Sequence, residues 1–228
     1  MAGRYGAALL LLIVALVYTM AVQEGEWRVI AAMALQGLAL VAVLRASRTD
    51  SRLVWALTAF FVFLFIAGVV DAIFTAADEP GFVRVSILAI VLGTLPVIAF
   101  GLVRQVKAEQ KITVQTMMGV LCAYLLITTV FAYSYAVLGE FGDGPFFSQG
   151  EQWNQVSDYL YYSLITITTV GMGDLTPATQ VGRSLTAAEA LVGQIYMVTV
   201  VAVIVSNLGR SSAPKVSDQA SRPDREKG

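Results

Sequence analysis

Histidine is absent from this chain of 228 residues, and its single cysteine, Cys122, lies in an apolar run. The usual zinc site, an imidazole acid–base pair and a histidine-assisted nucleophile are therefore excluded. An intrachain disulfide is excluded as well. Asp71, Asp174 and Glu189 sit on separate segments and make no catalytic set. The chemistry that remains is carried by the main chain. Residues 168–174 read Thr-Thr-Val-Gly-Met-Gly-Asp, with Pro177 shortly after. Two glycines one residue apart end any helix and admit positive φ. Ahead of them, 159–168 is an apolar-aromatic stretch opened by Ser157 and Asp158. Those residue types cap a helix and suit the positive end of its dipole. Ten residues of helix rise only about 15 Å, too short for a bilayer core of about 30 Å. Irregular backbone at membrane depth persists only where it lines water or is buried in protein. A polar, Gly-containing loop at 139–155, a short helix and an irregular return read together as a re-entrant pore loop.

The elements that must hold such a loop are membrane spans. The chain is 57% hydrophobic and 14% charged, with a mean hydropathy of +0.72. Soluble domains carry about 45–50% apolar and about 25% charged residues. A soluble enzyme is therefore excluded as the main reading, and a net charge of -1 gives no basic surface for nucleic acid. Apolar runs long enough to cross a bilayer fall near 5–22, 27–44, 53–76, 82–102, 112–138 and 184–208. The first is read as a retained span, since it lacks a basic leader and a small-residue cleavage pattern. Of the 15 basic residues, all but Arg28, Arg84 and Arg183 fall on one side of this arrangement. By the positive-inside rule both termini are cytoplasmic and the opposite face is acidic. The expected organisation is a four-span membrane domain at 1–111, a pore domain at 112–210 and a disordered cytoplasmic tail at 211–228.

The run TTVGMGD at 168–174 resembles the selectivity-filter signature of potassium channels, whose usual core is TVGYG. Tyr161 and Tyr162 stand where that family has its pore-helix aromatic pair. Asp174-Leu-Thr-Pro177 is similar to its post-filter stretch, Gly193 to its inner-helix hinge glycine, and 203–207 to the inner-helix end of the six-span, voltage-gated branch. One ungapped register covers 158–207, within a pore module of roughly 112–208. The resemblance implies an all-α membrane protein with six spans, a re-entrant pore helix and a filter. One chain has one such loop, so a homotetramer is implied. A dehydrated potassium ion needs a cage of oxygens in place of its water. The carbonyls of Thr169, Val170, Gly171 and Met172 would supply it, with the Thr169 hydroxyl closing the innermost site and Gly173 completing the turn. Thr168, Asp174, Tyr161, Tyr162 and Glu189 would support the filter. The ions implied are K⁺, with no organic cofactor and no catalytic role.

The chain departs from the family pattern at two places. Met172 replaces the filter aromatic, which braces the outer filter in the family; Met is flexible and has no hydroxyl. A softer outer filter, with easier inactivation or looser K⁺/Na⁺ discrimination, is the expectation. Asp174 needs a donor behind the filter, and Tyr161 can supply one where Ile165 cannot. The fourth span holds only Arg84, at its outer end, with Arg104 just past its inner end. A voltage sensor needs several charges, since each gains about 2.3 kcal/mol per 100 mV. Weak or absent voltage dependence is expected.

Two residues carry alternative readings. Glu189 is either a link behind the filter, to Thr166 or Thr168, or a protonated or water-exposed side chain near the outer half of its helix. Gly193 is either a gating hinge or a close-packing site. Asp71 is expected to pair with Arg28 or Arg84, and Cys122 to pack in the core. The function expected is passive, selective conduction of potassium across the plasma membrane. The rivals are a poorly selective monovalent cation channel, favoured by Met172, and a non-conducting membrane subunit.

Overall fold

The computed structural model describes residues 4–21, 26–46, 59–60, 114–142 and 144–211. The third span apart from 59–60, the fourth span, the Asp71 pairing and the tail from 212 onward lie outside the described residues. The named elements are helices: α1 (Arg4–Ala21), α2 (Glu26–Ala46), α3 (Val114–Phe141), α4 (Val156–Ile167) and α5 (Gln180–Ser211). Among the described residues α3 is the one helix long and apolar enough to cross a membrane. Its 28 residues rise about 42 Å, more than the hydrocarbon core requires. α5 begins four residues before its expected start and reaches 32 residues. α4, at 12 residues, cannot cross.

α1 forms because its apolar residues recur at helical spacing. Tyr5, Ala8, Leu12 and Ala15 are all buried, three to four residues apart, and make one stripe. Leu10, Ile13, Val14 and Val17 point the other way and are exposed, as suits a lipid-facing surface. The stripe meets Ala39, Leu40 and Val43 of α2 and Cys122 and Leu126 of α3 in one continuous core. Lipid tails are as apolar as leucine, so burial alone does not drive helices together in a membrane; close contact and hydrogen bonds do. Ala8, Ala15, Ala39 and Cys122 are completely buried, so small residues sit where the helices approach. The Tyr5 amide donates to Gln115 Oε1 at 3.4 Å, and the Tyr133 hydroxyl to Gln36 Oε1 at 3.3 Å. These bonds tie α1 and α2 to α3.

α4 packs against α3, α5 and α1. It thus sits in the angle between the two long helices, with α1 behind it. α5 is held differently. Gly182, Glu189 and Gly193 are buried and Leu185, Thr186, Ala190, Tyr196 and Val200 half-buried along it. Among its other described residues several are exposed and apolar, including Leu191, Ile195 and Val198.

Candidate ion-conduction site

α4 starts at Val156, with Gln155 in extended conformation at the cap position. The sequence reading put the cap at Ser157. Asp158 explains the shift: its Oδ2 accepts the Gln155 amide at 3.0 Å. A carboxylate reaching back to the cap N–H is the reciprocal half of a capping box. The helix ends at Ile167, and Thr168 is its C-cap, with its hydroxyl donating to the Leu164 carbonyl at 2.6 Å.

Beyond that cap the chain runs exposed from Thr168 to Asp174. Thr169, Gly171 and Gly173 have φ of 59°, 51° and 79°. Left-handed residues therefore alternate with Val170 and Met172. The glycines meet no steric penalty there. Thr169 does, since a β-branched residue in this region is a real outlier; such strain costs about 1–3 kcal/mol and collects at functional sites. The amides of this segment are turned back toward α4. Thr169 N–H donates to the Thr166 carbonyl at 2.9 Å; Val170 and Gly171 N–H both donate to Ile165, at 2.9 and 3.0 Å. Among the described residues no hydrogen bond reaches the carbonyls of Thr169, Val170, Gly171 and Met172. From Thr169 to Gly171 the segment thus leaves main-chain oxygen unused and ties its main-chain N–H groups back to α4.

Glu189 of α5 is completely buried, so the water-exposed reading does not hold. Its partners are not Thr166 or Thr168. Tyr135 of α3 donates to Oε2 at 2.5 Å, and Ser163 of α4 bonds to Oε1. Ser163 also donates to the Thr128 carbonyl of α3 at 2.8 Å. The carboxyl therefore joins three helices at one point. Tyr162 shares a hydrogen bond of 2.9 Å with Thr186 of α5. At Gly193 a Cβ would lie 2.2 Å from the Ile167 carbonyl oxygen and 2.8 Å from Ile167 Cγ1. Close packing against α4 therefore requires glycine here, whatever bending the same position allows.

At the outer end Tyr161 donates to Asp174 Oδ2 at 2.8 Å, at an exposed position. This is the donor expected behind the filter. The tyrosine pair is thus divided, Tyr161 facing Asp174 and Tyr162 facing α5. Met172 is 68% exposed in the single chain. An outward cavity of about 760 Å³ opens beside this end, with Trp153, Asp158, Tyr161 and Asp174 among its walls.

A sequence profile described as an ion channel matches residues 119–210, the stretch from α3 through α5. The Bacillus caldotenax protein LctB is 31% identical over 102 residues, which are 42% of this chain and 75% of that protein. The chain belongs to the pore-loop potassium-channel family. Mouse potassium voltage-gated channel subfamily A member 5 is 33% identical over 87 residues, 38% of this chain and 14% of the relative. Rice two pore potassium channel a is 35% identical over 92 residues, 40% of this chain and 23% of the relative. The matched stretch is thus under a quarter of those two larger channels. No solved structure matches the chain. The matched region takes in α3 from Gly119 onward, α4 and α5 as far as Arg210, and α1 and α2 lie outside it.

Sequence reasoning missed part of the loop that carries the filter. The segment read as a polar loop holds Phe146 and Phe147, 3% and 0% exposed. Phe147 stacks on Tyr159 with centroids 5.2 Å apart, and Phe146 lies 4.9 Å from Tyr135. Phe147 also bridges antiparallel to Pro177. Ser148 N–H donates to the Thr176 carbonyl at 2.9 Å, and Ala178 N–H to Phe146 at 2.8 Å. Two adjacent phenylalanines in an otherwise polar stretch were the available signal. They anchor the loop behind α4 and hold the strand that follows residues 168–174.

Proposed function

We propose that this chain is one of four identical subunits of a passive, potassium-selective channel. Its filter is residues 168–174. The carbonyls of Thr169, Val170, Gly171 and Met172 replace the hydration shell of K⁺, and the Thr169 hydroxyl closes the innermost site. The observation that carries this reading is the alternating left-handed backbone at Thr169, Gly171 and Gly173, with amides tied back and carbonyls unused. Tyr161 and Asp174 brace the outer end; Tyr162, Glu189 and Gly193 hold the pore helix. The negative end of that helix favours a cation in the cavity below it. A single loop lines only one side of an axis, so four chains are required. The exposed apolar flank of α5 suits contact with neighbouring copies. Each chain has six spans in the plasma membrane, with both termini cytoplasmic. The nearly uncharged fourth span supports weak voltage dependence.

Flux from liposomes containing the purified protein tests this. Barium-sensitive potassium flux that exceeds sodium flux is the expected result. Equal fluxes would favour a poorly selective cation channel, the reading that Met172 suggests. Absence of flux at every voltage would leave a non-conducting subunit. Met172→Tyr sharpens the choice: under bi-ionic conditions it should slow current decay or raise potassium preference over the native protein.

A further inference from the structure

An α-helix leaves its last four carbonyls without helical partners. In the pore helix these are Leu164, Ile165, Thr166 and Ile167. The filter segment satisfies the first three with its own donors: Thr168 N–H serves Leu164, Val170 and Gly171 serve Ile165, and Thr169 serves Thr166. It leaves Ile167 open. That carbonyl is completed from elsewhere in the chain. The hydroxyl of Tyr124, on α3, donates to Ile167 O at 2.9 Å in a buried position. Tyr124 is 8% exposed and Ile167 1%, so water does not readily replace the bond. The Tyr124 ring is itself held, lying 5.3 Å from the ring of Tyr196 on α5. The Tyr196 hydroxyl donates to the Val120 carbonyl, one turn before Tyr124. Gly193 packs closely against the same Ile167 carbonyl.

We propose that Tyr124 is a positioning residue for the inner end of the filter. The Ile167 carbonyl belongs to the peptide that leads into Thr168 and Thr169, the residues of the innermost ion site. Held between the Tyr124 hydroxyl and the Gly193 notch, that peptide has one orientation. Without the hydroxyl the buried carbonyl must seek another donor, and the peptide turns. The hydroxyl and carbonyl of Thr169 then lose their fixed spacing around the ion. This rests on the reading of residues 168–174 as the filter.

The test compares three proteins in liposomes: native, Tyr124→Phe and Tyr196→Phe. Tyr124→Phe keeps the ring pair and removes only the hydroxyl. Its K⁺/Na⁺ permeability ratio should fall about tenfold, the effect of one net hydrogen bond. The K⁺ concentration that half-stabilises the solubilised assembly against heat should rise in parallel. Tyr196→Phe removes a hydroxyl from the same ring pair without touching Ile167, and should keep the native ratio. A native ratio in Tyr124→Phe, or equal losses in both variants, would overturn the assignment. A fluorinated tyrosine at position 124 keeps the ring and strengthens the donor, which covers failure of Tyr124→Phe to assemble. The ratio should then rise, and an unchanged ratio would sink the idea. Native protein that neither conducts nor responds to K⁺ would end the filter reading and this inference with it. Native protein that conducts selectively, with an unmoved Tyr124→Phe, would end this inference alone.

Discussion

The two ends of the filter segment are held by opposite kinds of contact. At the inner end every support is buried: Tyr124 on Ile167, Gly193 against the same carbonyl, and Glu189 joining Ser163 and Tyr135. At the outer end the side-chain hydrogen bonds are exposed, Tyr161 on Asp174 and Ser148 on Thr176, with the buried Phe146 and Phe147 further along, beside the outgoing strand. A buried hydrogen bond has no competing water, and its loss leaves a polar group stranded. An exposed one exchanges with solvent at little cost. Hydrogen bonding therefore gives a stiff inner end and a compliant outer one. Met172 adds to the contrast, because its exposed, flexible side chain replaces a bracing aromatic.

Glu189→Ala should break the stiff end most. It strands the Tyr135 hydroxyl and deprives Ser163 of a partner, at a cost of about 3 kcal/mol for two buried polar groups. Thermal unfolding of the solubilised assembly would read this as a large fall in midpoint. Glu189→Gln, which keeps both a donor and an acceptor, should recover most of it; a glutamine variant as damaged as the alanine one would mean that charge, not hydrogen bonding, matters there. Gly193→Ala comes next. Its methyl would collide with the Ile167 carbonyl, and overpacking of this kind costs about 1–3 kcal/mol. A native midpoint in that variant would show that α4 and α5 can separate freely. Tyr161→Phe is the mildest. Its bond to Asp174 is exposed, so the change in midpoint should stay below about 1 kcal/mol, while current decay quickens. A midpoint shift as large as that of Glu189→Ala would erase the distinction between the two ends.

Local chemistry made part of this readable before any coordinates. The paired glycines announced the left-handed turns, and Tyr161 offered a hydroxyl donor for Asp174 where Ile165 could not. The unread part depends on how helices are rotated against one another. Glu189 meets Tyr135, 54 residues away, and Tyr124 meets Ile167, 43 residues away. No local pattern encodes those distances. The expected partners Thr166 and Thr168 failed for this reason: both lie on the right segment, but Ser163 is the residue of that helix that reaches Glu189. Phe146 and Phe147 escaped notice because the loop was judged by its average polarity, and two residues decide where it docks.

The backward-turned amides of Thr169, Val170 and Gly171 have one more consequence. An anion needs N–H groups to solvate it, and those of Thr169, Val170 and Gly171 are already occupied by Thr166 and Ile165. A chloride ion beside these three residues would find their N–H groups taken. On the proposed reading of 168–174 as a filter, these three residues would favour a cation through the main chain rather than through any side chain. Substitutions at Asp174 or Met172 can alter how well one cation is told from another, yet anion permeation would require the filter to release its own amides.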